Sequence, residues 1–400
     1  MINIYQLFPR LFGNKNPVTI PYGTISQNGC GKFADISEVA IAAIRNLGIT
    51  HIWLTGVIRH ASLTSYKEFG IPESHPAVVK GRAGSPYAIC DYYDVDPDLA
   101  NDPAKRMEEF GQLMNRIHAA GLKVLIDFVP NHLAREYKSI AKPAGVSDFG
   151  KHDDPTVNFA LHNNFYYLPG ENFIAPSRPD DPFANSSGYD EFPAKVTGND
   201  SFTASPSLND WFETVKLNYG YEPHSHQLTE TSEIPDTWRK MLHILEYWSA
   251  LSVDGFRVDM TEMVPVAFFN WLIRILKAEF TRLIFIAEIY QPNLYRPFLD
   301  AGFDFLYDKV GMYNRLEDIL KHGHSAESIS ICWKMLEGLD DKMLRFMENH
   351  DEIRLASKHF VNDAFASLPA VTIAALMHRG PFMIYNGQET GEKAEGSPGY

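Results

Sequence analysis

A closed (β/α)₈ barrel of the TIM type, α/β in class and carrying a subdomain inserted after its third strand, is predicted by three features of the sequence. Eight short apolar segments alternate with amphipathic, helix-length segments through most of the 400 residues. That is the pattern of strands covered on both faces and joined by crossover helices. The alternation breaks once, from about residue 133 to residue 210, where Pro, Gly, Asn, Asp and aromatic residues dominate. Acidic residues, with Arg and His among them, follow the predicted strands, and in such a barrel all strand ends of one sense share a face. An open doubly wound sheet is the competing solution, but the first strand lacks its glycine-rich phosphate turn.

Ile4 to Phe8 reads as the first strand. Asp35 to Leu47 is an amphipathic helix with Asp35 and Glu38 in the capping-box relation and Gly48 past its end. Ile49 to Leu54 is the second strand; Asp102 to Ala120 is a helix with Pro103 in its first turn and Gly121 as its stop. Leu122 to Phe128 is the third strand. The turn-rich stretch that follows, with HDDPTVN, YYLPGENF and SRPDDPF, is too long for a simple loop and reads as an insertion. Pro235 to Leu251 resumes the alternation, with Met241, Leu245 and Trp248 on one helix face, and Val253 to Val258 is strand four. Helix Pro265 to Phe280 leads to strand five, Leu283 to Ala287. Phe303 to Tyr307 is strand six, preceded by a weak helix near Tyr295, and Gly311 to Leu320 with Ala326 to Leu336 form a helical pair. Met343 to Met347 is strand seven, Asn362 to Met377 a helix, and Pro381 to Tyr385 strand eight.

The chain therefore divides into a first barrel part (1–132), the insertion (133–210) and a second barrel part (211–400). After strand eight, NGQETGEKAEGSPGY carries no helix pattern, and an uncovered strand edge would remain. A longer full-length protein, truncated here, is the expectation.

The balance of 36 basic against 50 acidic residues, a formal charge of -14, repels polyanions and speaks against nucleic acid, leaving a neutral polar ligand as the easiest partner. With 45% hydrophobic and 22% charged positions the chain can bury a sizeable core without disulfides. Cys30, Cys90 and Cys332 have no paired spacing and read as small hydrophobes. No apolar run reaches the roughly 18 residues of a membrane span. MINIYQLFPRLFG reads as a strand and not as an export signal, so cytoplasm is expected unless a signal peptide has been removed.

Asp127 and His132 follow strand three, Arg257 and Asp259 strand four, Glu288 strand five, and Glu348 to Asp351 strand seven. Two carboxylates flanking a glycosidic bond divide the work of nucleophile and acid/base when one is ionised and the other protonated. Arg257 lies two positions before Asp259, so both side chains leave the same side of the strand, and a guanidinium there keeps Asp259 charged. Glu288 ends the apolar run LIFIAE, surroundings that favour a proton donor. His132 and His350 are candidate neutral donors to sugar hydroxyls, and Tyr87, among turn residues in SPYAICDYYDVDP, is a candidate stacking platform.

These stretches carry a resemblance. DFVPNH at Asp127 to His132, GFRVD at Gly255 to Asp259, AE at Ala287 to Glu288 and NHD at Asn349 to Asp351 occur in the order seen in the α-amylase family of retaining glycoside hydrolases and transglycosylases, glycoside hydrolase family 13. IYQLFPRLF and IYNGQE resemble its first and last barrel strands, and VKLNYGY at Val215 to Tyr221 resembles a further motif near the end of the insertion. The resemblance implies Asp259 as nucleophile, Glu288 as general acid/base and Asp351 as a third acid that steadies the distorted sugar. It implies Arg257, His132 and His350 around that sugar, Tyr87 as its platform, and the insertion as the family's domain B. It also implies a C-terminal β domain in the full protein, absent from this chain.

The expected activity is cleavage of α-glucosidic bonds, foremost α-1,4, in maltooligosaccharides or starch-like glucans. No cofactor is required for that chemistry; the resemblance allows a structural calcium, with Asn131 matching the family's calcium asparagine and Asp153, Asp154 and Asp181 standing either as companion ligands or as turn-forming acids. The sequence departs from the family where many members have Lys-His after the nucleophile: Glu262 and Met263 stand there. Glu262 is therefore placed in the sugar-binding region with altered plus-side binding, and Met263 retains only a backbone oxygen for calcium. That departure keeps α-glucan transglycosylation or glucosyl isomerisation open as an alternative, with a catalytically silent glucan-binding barrel behind it.

Overall fold

Eight parallel strands form the barrel in the computed structural model, which describes residues 2–183, 186–223, 227–229 and 233–394. They are β1 (Asn3–Leu7), β2 (His51–Leu54), β3 (Lys123–Phe128), β4 (Gly255–Val258), β5 (Ile284–Ala287), β6 (Phe305–Tyr307), β7 (Met343–Leu344) and β8 (Phe382–Tyr385). Their spatial order follows the chain, with β1 between β8 and β2. The last seam closes through a parallel bridge between Arg345 and Phe382: the Arg345 N–H donates to the Pro381 carbonyl (3.0 Å) and the Met383 N–H to the Arg345 carbonyl (2.9 Å).

Register decides which residues face the barrel axis. Ile4 is paired with Met383, Gln6 with Trp53, Trp53 with Leu125, Asp127 with Arg257, Arg257 with Ile286, and Tyr307 with Leu344. Alternation along each strand puts all of these on one side. Ile4, Trp53, Leu125, Ile286, Tyr307, Leu344 and Met383 indeed form one buried cluster, the barrel interior. The opposite parity, with Leu7, Ile52, Leu54, Val124, Ile126, Phe256, Val258 and Phe285, packs against the helices in a second cluster.

The helix layer comprises α1 (Glu38–Asn46), α2 (Arg106–Ala119), α3 (Asp236–Ala250), α4 (Val266–Glu279), α5 (Tyr295–Asp300), α6 (Asn314–His322), α7 (Ile329–Met335) and α8 (Leu368–Leu376). α3 buries Trp238, Met241, Ile244, Leu245 and Trp248, the helical spacing read from the sequence. Several boundaries differ from expectation, among them α2, which starts at Arg106 after a separate turn at Pro103–Lys105. α1 starts at Glu38 because Ser37 caps it, accepting from the Ala40 N–H (3.3 Å), while Asp35 turns back to accept from the Lys32 N–H (2.8 Å). α8 starts only at Leu368: Pro369 sits in its first turn, and a proline ring excludes a helix running through from Asn362. Strand seven shortens to two residues. The last six residues of the tail after β8 lie outside the described ones.

After β3 the chain leaves the barrel. His132–Ala134 pairs antiparallel with Thr214–Lys216, and Tyr167–Leu168 with Ala194–Lys195. This inserted subdomain has its own apolar cluster, including Tyr166, Leu168, Phe173, Val196 and Phe212. Among the described residues no helix is long and apolar enough to cross a membrane.

Candidate active site

The acids meet because parity and register agree. Asp127 and Arg257 are cross-strand partners, Asp259 lies two residues beyond Arg257, and Glu288 lies two beyond Ile286, the partner of Arg257. All four side chains therefore turn to the barrel axis at the carboxyl ends of β3, β4 and β5. Gly255 lets the strands approach: a Cβ there would lie 2.4 Å from the Ile284 carbonyl oxygen. Just after Asp259, Met260 adopts left-handed backbone (φ 43°), strained for a non-glycine residue. That turn aims the Met260 N–H at Glu288 Oε2, 2.7 Å away.

One guanidinium joins the acids. Arg257 Nη1 donates to Asp259 Oδ1 (2.7 Å), and Nη2 lies 2.8 Å from Glu288 Oε1. Asp127 Oδ1 is farther, at 3.7 Å, and its Oδ2 accepts from the Gly56 N–H (2.9 Å). The guanidinium is caged by the rings of Trp53, Tyr307 and Tyr87, 5.3, 5.4 and 5.6 Å from their centres, and its Nε donates to the Tyr307 hydroxyl (3.2 Å). Tyr290 donates its hydroxyl to Glu288 Oε1 (2.7 Å).

Burial sets the protonation pattern. It pushes Asp127 up to about 6, against the pull of Arg257. Burial, and then the charge of Glu288, hold the Asp259 carboxyl well above the ordinary carboxylate range, outweighing Arg257. Arg257 pulls the other way, and its one guanidinium is shared between Asp259 and Glu288.

His350 and His132 are neutral, burial lowering each to about 3, helped by Arg257 for His350 and by Lys216 for His132. Gln6 donates to His350 Nδ1 (2.8 Å), which leaves the Nε2 hydrogen facing the Tyr87 hydroxyl, a close contact. His350 Nε2 is also 3.4 Å from Asp351, whose side chain is 48% exposed while those of Asp259 and Glu288 are buried. Asp351 thus stands at the open side of the cluster. Asn131 donates to His132 Nδ1 (3.1 Å), and the His132 ring rests against Trp211.

Two predicted residues go elsewhere. Glu262 accepts from the backbone N–H groups of Tyr290 (2.9 Å) and Gln291 (3.0 Å), clasping the loop after β5 instead of joining the Arg257 cluster. Asn131 is bound through its Oδ1 to the Lys216 ammonium (2.5 Å), which also donates to the Met263 carbonyl (3.2 Å). The calcium companions do not converge on it. Asp153 accepts from the N–H groups of Asn164 and Phe165, Asp154 from Thr156, and Asp181 is paired with Arg178. The oxygen set implied for calcium does not fit a divalent ion as it stands.

Sequence reasoning missed Gln6, Trp53, Tyr307, Tyr290 and Lys216. The first three share the inward parity of Arg257, and Tyr290 that of Glu288, a period-two signal that was readable. Lys216 was not: its proximity to Asn131 depends on pairing strands far apart in the chain.

A closed barrel with buried carboxylates gathered about one arginine at its carboxyl face is the architecture of a barrel-type active site. The family model of the alpha-amylase catalytic domain matches residues 6–271. The chain belongs to the alpha-amylase family. It is 24% identical over 313 residues to the human amino acid transporter heavy chain SLC3A1, covering 78% of this chain and 35% of that protein. It is 21% identical over 257 residues to Maltase A1 of Drosophila melanogaster, covering 64% of this chain and 34% of that one. The chain thus spans about a third of the length of these curated relatives. Among solved structures, an alpha-amylase from Lactobacillus plantarum superposes with a TM-score of 0.61 at 22% identity, covering 99% of this chain and 73% of that one, a likeness of fold.

Proposed function

We propose that the chain carries a retaining glycosidase site for α-glucosidic bonds, foremost α-1,4 bonds of maltooligosaccharides or starch-like glucans. Asp259 is the nucleophile, Glu288 the general acid/base and Asp351 the third acid. Arg257, His132 and His350 hold the same sugar, over Tyr87. The observation that carries this reading is the single guanidinium shared by Asp259 and Glu288 from adjacent strands. A retaining pair is expected to hold its carboxyls roughly 5–5.5 Å apart.

In this reading Glu288 supplies the catalytic proton. Positive charge developing on the sugar ring favours ionised Asp259, so the proton resides on Glu288 when the bond breaks. Asp259 attacks the anomeric carbon, the glycosidic C–O bond breaks, and Glu288 protonates the departing oxygen. Water then attacks the covalent β-glycosyl ester, its proton returns to Glu288, and Asp259 leaves, giving the α-anomer. Neutral His350 and His132 donate N–H bonds to hydroxyls without adding charge beside the forming cation.

A second reading, transfer or isomerisation, draws on Glu262: both hydrogen bonds from the loop after β5 go to its Oε2, and among the described residues its Oε1 is left for an acceptor sugar. Products from maltoheptaose decide. Hydrolysis gives shorter oligosaccharides and one new reducing end per cleavage. Oligosaccharides longer than the donor, without matching reducing ends, assign transfer. Tight binding without cleavage in the full-length protein overturns the catalytic reading.

A further inference from the structure

We propose that Lys216 is the resident cation of this site: its ammonium stands where the family resemblance implies calcium, and the protein holds its insertion against the barrel without a divalent ion.

An ammonium has three donors and no acceptor. Those of Lys216 face three acceptors on three different elements: Asn131 Oδ1 after β3 (2.5 Å), Asp200 Oδ1 in the insertion (2.9 Å) and the Met263 carbonyl after β4 (3.2 Å). Asn131 and Met263 are the very residues the sequence nominated as calcium ligands. Calcium asks for about six to eight oxygens at about 2.3–2.6 Å, and here three oxygens are already engaged by nitrogen. Charge leads to the same conclusion. One ammonium against the Asp200 carboxylate is balanced, whereas calcium beside a retained Lys216 would set three positive charges against one carboxylate.

The position has a consequence for the sugar site. Lys216 is the cross-strand partner of His132, and Asn131, held by Lys216, passes a hydrogen bond to His132 Nδ1 and another to the Gly198 carbonyl (2.8 Å). A covalently attached cation thereby fixes the insertion and the orientation of His132 together. Access is not what keeps metal out. Lys216 and Asp200 border a cavity of about 760 Å³, with Tyr166, Phe202 and Tyr219 on its walls, so added ions and chelators reach the site.

The test is elemental analysis and thermal melting of the purified chain, with calcium chloride, with EDTA, and in the variants Lys216→Met and Lys216→Arg. The expected result is calcium far below one equivalent, a melting temperature unmoved by either addition, a fall of several degrees in K216M and a smaller fall in K216R. A bound metal would instead raise the melting temperature by several degrees at saturating ion. One equivalent of calcium, or a loss of several degrees in EDTA, overturns the proposal; so does a K216M protein as stable as the wild type. If K216M does not fold, the wild-type metal content and EDTA response still decide.

Discussion

Arg257 and Arg345 are both about 1% exposed and each has two carboxylates within 3 Å, yet one forms the candidate active site and the other a structural clasp. A single step of strand parity separates them. Leu344 faces the barrel axis, so Arg345 faces outward, to Asp308 (2.9 Å), Asp340 (2.5 Å) and the Met377 carbonyl after α8 (3.2 Å). There Asp308 also accepts from the Met312 N–H, and both of its oxygens are in use. At Arg257 the polar groups are incompletely satisfied: among the described residues, buried Asp127 Oδ1 has no hydrogen-bond partner. A structural arginine is saturated from within; a reactive one leaves capacity for a ligand and lowers stability by doing so.

The sharpest break in this comparison is Asp259→Asn, which is expected to lower kcat by about 10⁴-fold while the melting temperature holds or rises, since a carboxyl poorly placed for ionisation is removed. Steady-state kinetics and thermal melts check both halves. Arg345→Met reverses the pattern: stability falls by about 3–5 kcal/mol, the cost of breaking a buried ion pair, and kcat per folded molecule stays unchanged. Urea unfolding and active-site titration separate the two.

Asp127→Asn sharpens the account through pH. A carboxyl raised to about 6 in the folded state favours folding below its unfolded value, and that contribution is lost as pH rises through about 6. The stability of D127N relative to wild type should therefore grow by about 2.5 kcal/mol between pH 4 and pH 7, read from unfolding curves at each pH. A flat difference would mean that Asp127 ionises without penalty. The smallest effect is Tyr290→Phe. Removing the hydroxyl that holds Glu288 Oε1 loosens the proposed acid/base, so kcat should fall by about tenfold in steady-state kinetics while the melting temperature changes little.

Much of the barrel was legible because its signals are local. Apolar runs, helical spacing and strand-end acids each lie within one segment, and Asp127, Arg257, Asp259 and Glu288 converge through strand parity alone. Boundaries set by a single cap or proline, as at Ser37 and Pro369, were misplaced because several residues offer the same signal. The Lys216 site was illegible for a different reason. Asn131, Asp200, Lys216 and Met263 come from four separate stretches, and only the pairing of His132 with Lys216 reveals that a lysine ends among the oxygens implied for calcium. The direction of proton affinity at Asp259 was likewise hidden, since it depends on how deeply two strands bury it beside Glu288.

The most direct measurement is to trap the sugar on the protein. In Glu288→Gln supplied with α-glucosyl fluoride, the fluoride departs without an acid while hydrolysis of the ester lacks its base, so a glucosyl group should accumulate on the peptide that contains Asp259 in mass spectrometry. A label on another carboxylate, or no label together with release of the β-anomer, would contradict the account.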